Sequence, residues 1–321
     1  MWGAVALVAG ASVILAACSS GNSSSPKTAG STTSPASQSS GATSSASSSS
    51  APSTTAPAAK PVHVSVNLGD GAQVGVGMPI IATFKVKVTN AAAFQQATKV
   101  TVNGAPVSGA WYFEYSDPAS GHIMEGHYRL QQYWPAHARV HMDLPVKGLS
   151  AGKGLAFDDS LTLDFATGAA NIAVVDDVNH TLTLTSDGKP WGTFPVSLGA
   201  SDTRTRAGTK VVMEKGASIC MKGPGYDECG VKYTQRLTYD GEYLHAAPWN
   251  VYNITHGVDS SNGCTNLLTA DALKLYNFME VGDVVEYPNA NGGKMQLGQG
   301  YGDWNVPWAL WQTGGAVTTT T

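Results

Sequence analysis

The sequence predicts a mainly β protein: a β-sandwich followed by a second β-rich region with one or few helices. Three observations predict it. Val62-His-Val-Ser-Val-Asn-Leu68 and Ile81-Ala-Thr-Phe-Lys-Val-Lys-Val88 alternate with period two, so each presents one apolar face. Turn formers such as Asn103-Gly104 and Asp117-Pro118 punctuate the runs. A convincing helical pattern occurs in one stretch only, Thr269 to Glu280.

The chain opens with a segment outside either folded region. Residues 2–17 form an apolar run ending in Leu15-Ala16-Ala17-Cys18, too short for a comfortable membrane span. Residues 1–18 therefore read as a signal peptide, although no Lys or Arg precedes the run. Leu-Ala-Ala-Cys resembles the bacterial lipobox, in which the Cys is acylated, so Cys18 is the expected lipidation site and membrane anchor. Ser19 to Ala59 is almost entirely Ser, Thr, Ala, Pro and Gly, with Lys27 its only charged residue. Too few apolar side chains offset the entropy of ordering it, and residues 19–60 are expected to be a disordered tether. Net charge is −4 and charged residues make up 13% of the chain, with no basic block, which argues against a nucleic-acid partner.

Residues 61–165 carry regularly spaced short strand patterns without a helical period, as in an immunoglobulin-like sandwich. Lys99-Val-Thr-Val102 adds a strand, and the aromatics of Trp111-Tyr-Phe113 and Tyr128 to Trp134 are expected in its core. A spacing and supporting role follows. In residues 166–289, Asn171-Ile-Ala-Val-Val175 and His180 to Thr185 flank a turn and predict a hairpin, followed by Gly192 to Leu198. Leu237 to His245 reads as one strand. The helix takes Thr269 as N-cap, Asp271 at its positive end and Leu273, Tyr276 and Met279 on one face. Gly282 stops it and Val284 to Tyr287 returns to strand. Residues 290–321 are Gly- and Trp-rich; they are expected to pack across the second region rather than offer an aromatic shelf, since clustered Trp buries its area. Thr318 to Thr321 are expected to be disordered.

Four cysteines are present. Cys220 and Cys229 enclose a Gly/Pro loop that can bring them together as a disulfide. Cys264 is then the odd thiol in an oxidising compartment, a candidate reactive group, though pairing with either of the others stays open on sequence grounds. His245 supplies an imidazole in His245-Ala-Ala-Pro-Trp249, and Cys264 lies in Ser261-Asn-Gly-Cys-Thr-Asn266. A thiol attacks a carbonyl as thiolate, and a neighbouring imidazolium is a common way to form one at neutral pH.

These two segments resemble the active-site motif of the L,D-transpeptidases (the YkuD family) of mycobacterial type. His245, Trp249, Ser261, Gly263, Cys264 and Asn266 match the motif, while Asn262 stands where the family usually has a second His. The Ig-like region, including Tyr133-Trp134-Pro135, resembles the domain that precedes the catalytic domain in such enzymes. The resemblance implies a YkuD catalytic domain over residues 166–289 and a peptidoglycan L,D-transpeptidase. Cys264 would attack the bond before a terminal D-Ala of a stem peptide, with His245 as proton acceptor and donor. Backbone N–H groups at Gly263 and Cys264 would hold the oxyanion. Ser261, Asn262, Asn266, Trp249 and Tyr243 are candidate substrate-binding residues, the last two able either to line a groove or to pack beneath it. The Cys220–Cys229 segment stands where relatives carry a lid. Implied partners are donor and acceptor stem peptides and, as covalent inhibitors, β-lactams of the carbapenem type; no cofactor or metal is implied. An L,D-carboxypeptidase on the same site, or a non-catalytic wall-binding protein, are the alternatives. Asn262 cannot titrate, so it cannot serve as base. His256 is expected to be a solvated loop residue.

Overall fold

The computed structural model describes residues 57–117, 120–223 and 226–317. The apolar run, Cys18, most of the tether and Thr318 to Thr321 lie outside these residues. Among the described residues no helix is long and apolar enough to cross a membrane.

The alternating runs of the first region build three sheets. A four-stranded sheet has the order Ser65–Val66, Ile80–Phe84, Met124–Leu130, Gly109–Tyr115. A five-stranded sheet centres on Arg139–Leu144 between Leu161–Thr167 and Lys99–Val102, and a small third sheet joins Lys60–Val62 to Leu155–Phe157. Their apolar faces share one core, in which Phe84, Phe94, Trp111, Phe113 and Phe157 meet ring to ring. Of the aromatics expected there, Trp111, Phe113, Tyr128 and Trp134 are in the core, while Tyr112 and Tyr133 are half-buried against Trp311 and Trp304. A helix is there too, against expectation: Ala91–Ala97, capped by the Asn90 side chain on the Ala93 N–H. Seven residues are too few to display a helical period, and the burial of Phe94 in the core holds the segment in place.

The second region is a nine-stranded mixed sheet. The expected hairpin forms between Asn171–Asp176 and Thr181–Ser186, with the Asp176 carboxylate accepting the Val178 and Asn179 N–H groups across the turn. Its neighbours on one side are Val284–Tyr287 and Gly208–Val211; on the other run Lys189–Ser197, Thr265–Leu267, Tyr243–Ala246, Tyr226–Arg236 and Glu214–Gly223. Leu237 to His245 is not one strand: only Tyr243–Ala246 is, because the chain turns through Gly241 after Arg236. The helix runs Thr269–Phe278 with Leu268 at the N-cap position, so Thr269 is its first residue and not its cap. It buries Ala272 and Leu275, while Leu273 is 37% exposed. The packed face is thus one position away from the one read from the sequence, since Ala272, Leu275 and Met279 also recur at helical spacing.

The Gly- and Trp-rich tail packs on both regions: Gly292, Gly293, Met295 and Asn305 bond the backbone of Thr205, Ala207 and Thr209 in the second, as expected, and the indoles pack on the first. Trp311 stacks on Tyr112 and donates from its indole nitrogen to the Ala110 carbonyl. The Arg129 guanidinium lies 4.8, 5.2 and 4.3 Å from the rings of Trp304, Trp308 and Trp311. The two regions touch closely at Gly75, where a Cβ would stand 2.2 Å from the Asp283 nitrogen.

Candidate active site

Tyr243–Ala246 and Thr265–Leu267 pair in parallel, with His245 opposite Asn266 and Leu244 opposite Thr265. Side chains alternate along a strand, so Cys264, Asn266 and His245 share one face. Thr265 points to the other, where its hydroxyl meets the Tyr287 hydroxyl at 2.7 Å. The shared face floors a cavity of about 440 Å³. Met221, Glu228 and Val231 of the hairpin Glu214–Arg236 form one wall; Trp249, Ser261 and Asn262 contribute others.

His245 is buried and its Nδ1–H donates to the Ala246 carbonyl at 2.9 Å. A carbonyl only accepts, so this bond places the proton on Nδ1 and leaves Nε2 as a lone pair. Trp249 stacks beside the ring and is itself 61% exposed at the mouth. Burial holds the imidazole below its ordinary pKa, opposed by the bond to Ala246.

Cys264 is a free, buried cysteine whose thiol donates to the Gly241 carbonyl at 3.4 Å. Burial pushes the thiol up to about 12; the Tyr243 backbone N–H and the Lys210 ammonium pull it down, and the Glu242 carboxylate pushes it up. Both shifts favour the neutral forms: removing either charge from water costs more than these neighbours return.

The turn before the nucleophile is held by hydroxyls. Ser261 Oγ accepts the Gly263 N–H at 3.1 Å and donates to the Cys264 carbonyl at 2.6 Å. Thr203 donates to the Ser261 carbonyl and Thr205 to the Gly263 carbonyl. Gly263 has φ +107°, a conformation that side chains strain. Because Ser261 already takes the Gly263 N–H, that group is not a free oxyanion donor. Asn262 is exposed and lines both the first cavity and a second one of about 510 Å³ reached through Gly241, Gly263 and Arg206.

Tyr243 does not line the first cavity; its ring lies 5.9 Å from the Arg236 guanidinium, and its contribution to the site is the backbone N–H at the sulfur. His256 ends the short helix Val251–His256, exposed and stacked on Tyr252, outside both cavities. Cys220 and Cys229 form a disulfide directly across the hairpin, so the segment is a strand pair where a loop was expected.

Two features were not legible in the sequence. Lys210, 0% exposed, pairs with Glu242 close enough to Cys264 to act on its ionisation, and its ammonium lies 3.8 Å from the Tyr287 ring centre. Asn250 joins Ser260 at 2.8 Å in the cavity lining; its only sequence signal is its place after Trp249.

Residues 170–286 match the family model of the L,D-transpeptidase catalytic domain, and residues 19–150 that of a bacterial Ig domain. L,D-transpeptidase 2 of Mycobacterium tuberculosis (strain CDC 1551 / Oshkosh) is 30% identical over 80% of this chain, which spans 64% of that relative's length. L,D-transpeptidase 1 of Mycobacterium tuberculosis (strain H37Rv) is 30% identical over 69% of this chain and 83% of its own. The solved LD transpeptidase LdtMt1 in complex with imipenem superposes with a TM-score of 0.57 and 28% identity, covering 71% of this chain and 100% of that one.

Proposed function

The chain belongs to the L,D-transpeptidase family, and we propose that it cross-links peptidoglycan stems through an acyl-enzyme on Cys264. One observation carries the assignment of residues: an unpaired thiol and an imidazole with a lone pair on Nε2 share one sheet face and line one cavity.

Cys264 Sγ attacks the carbonyl joining an L-centre to a terminal D-Ala. The S–C bond forms while the thiol proton passes to His245 Nε2, so neither group is charged before the reaction begins. The Tyr243 and Cys264 N–H groups flank the developing oxyanion. Collapse breaks the C–N bond, and His245 returns its proton to the departing D-Ala amine. A side-chain amine of the third residue of an acceptor stem then attacks the thioester, its proton goes to His245, and the thiol is regenerated. The product joins the third residues of two stems.

The relative solved with imipenem supports carbapenem-type β-lactams as acylating agents of Cys264. The lipobox-like Leu15-Ala16-Ala17-Cys18 supports acylation of Cys18 and an extracytoplasmic site on the membrane, with residues 19–60 as tether and the Ig-like region as spacer.

Incubation with disaccharide-tetrapeptide, followed by mass spectrometry beside Cys264→Ala, tests the reading. Dimers that have lost one D-Ala are expected from the protein and not from the variant. Tripeptide without dimer assigns an L,D-carboxypeptidase instead, and unchanged tetrapeptide removes this donor.

A further inference from the structure

We propose that Glu114, Glu125 and His127 form a binding site for a divalent transition-metal ion of the zinc type, with Asp303 orienting His127. Glu114 and Glu125 are direct partners across the antiparallel pair Gly109–Tyr115 and Met124–Leu130. Like charges in that position repel and cost stability unless something positive lies between them. His127, two residues beyond Glu125, projects from the same face. The face is covered by the tail, so the charges do not stand in bulk water: the Glu114 and Glu125 side chains are 15% and 12% exposed, and His127 2%.

Asp303 fixes the orientation of the His127 ring. Its carboxylate, 0% exposed, takes His127 Nδ1–H at 2.8 Å, and its other oxygen has no partner among the described residues. Nε2 faces carboxylate oxygens of Glu125 at 3.3 Å, a hydrogen bond when this nitrogen carries a proton, and of Glu114 at 3.5 Å; an ion would take the place of that proton. Donors about 2.0–2.2 Å from a tetrahedral zinc are separated by roughly 3.3–3.5 Å, which both distances match. A carboxylate on the far nitrogen of a metal-binding His is the usual outer partner, and the slight exposure of both Glu side chains leaves a path for the ion.

The test uses the full chain carrying Cys264→Ala, so that zinc cannot occupy the active-site thiol. After chelator treatment and dialysis, Zn²⁺ is titrated by calorimetry, bound metal is counted, and Tm is measured with and without Zn²⁺. The parent is expected to bind Zn²⁺ and gain about 5 °C or more in Tm at a large excess over Kd. Glu114→Gln with Glu125→Gln is expected to lose one equivalent and the Zn²⁺-dependent rise in Tm. No Zn²⁺ bound by the parent overturns the site, as does an undiminished stoichiometry in the double variant.

Discussion

Asn266 stands opposite His245 across the parallel strand pair, and its Oδ1 is buried in the cavity wall without a hydrogen-bond partner among the described residues. An orphaned buried acceptor costs about 1–3 kcal/mol, a cost consistent with a group that a substrate N–H completes. Asn266→Leu, of similar shape, is expected to lower kcat/KM for the tetrapeptide about 10- to 100-fold while Tm holds or rises. A fall in Tm with intact kinetics would make Asn266 a brace for the turn.

The protonation of the pair has a direct readout. With the Cys264 thiol pushed up to about 12, its thiolate fraction rises tenfold per pH unit across the working range. Alkylation by iodoacetamide should therefore accelerate about tenfold per unit from pH 7 to 10, whereas a plateau below pH 8 would mean a preformed ion pair. His245 must be neutral to accept the proton, and burial lowers its pKa. The acid limb of kcat/KM is expected to lie below the ordinary imidazole value, with the rate level above it.

Ser261 braces the turn, its hydroxyl bonding the Gly263 N–H and the Cys264 carbonyl. Ser261→Ala is expected to cost about 1–2 kcal/mol and a few degrees of Tm. A loosened turn misplaces the nucleophile, so kcat should drop about tenfold with KM nearly unchanged. Steady-state kinetics beside a melting curve separate the two effects.

Met221 and Glu228 of the cavity wall flank the Cys220–Cys229 bridge in the hairpin. Replacing both cysteines by Ser frees the tip of the hairpin at a cost of about 2–3 kcal/mol on a chain-entropy account. Limited proteolysis within residues 221–228 should quicken and acylation by a carbapenem should change. Equal rates of both would show that the strand pair is rigid without the bridge.

Much of this protein is legible along the chain. Period-two alternation announces the sheets, the Asp176 to Asn179 turn announces its hairpin, and the spacing from His245 to Trp249 and Ser261 to Asn266 announces the site. These signals are local: they depend on neighbours within a few residues. The errors were local signals that competed. Leu273 and Ala272 both fit a helical stripe, and only the sheet beneath the helix selects Ala272.

Tertiary structure decided what local patterns leave open. The sequence by itself determined two β-rich regions, an odd thiol at Cys264 and an imidazole to serve it. The fold decided how far burial pushes this thiol toward its neutral form, because burial depends on the whole packed surround. It also set Lys210 against Glu242, Glu114 opposite Glu125, and the tail's three indoles around Arg129 of the first region. Each of these joins residues that sequence spacing does not pair. Strand register and desolvation bring them together, and both are properties of the assembled chain.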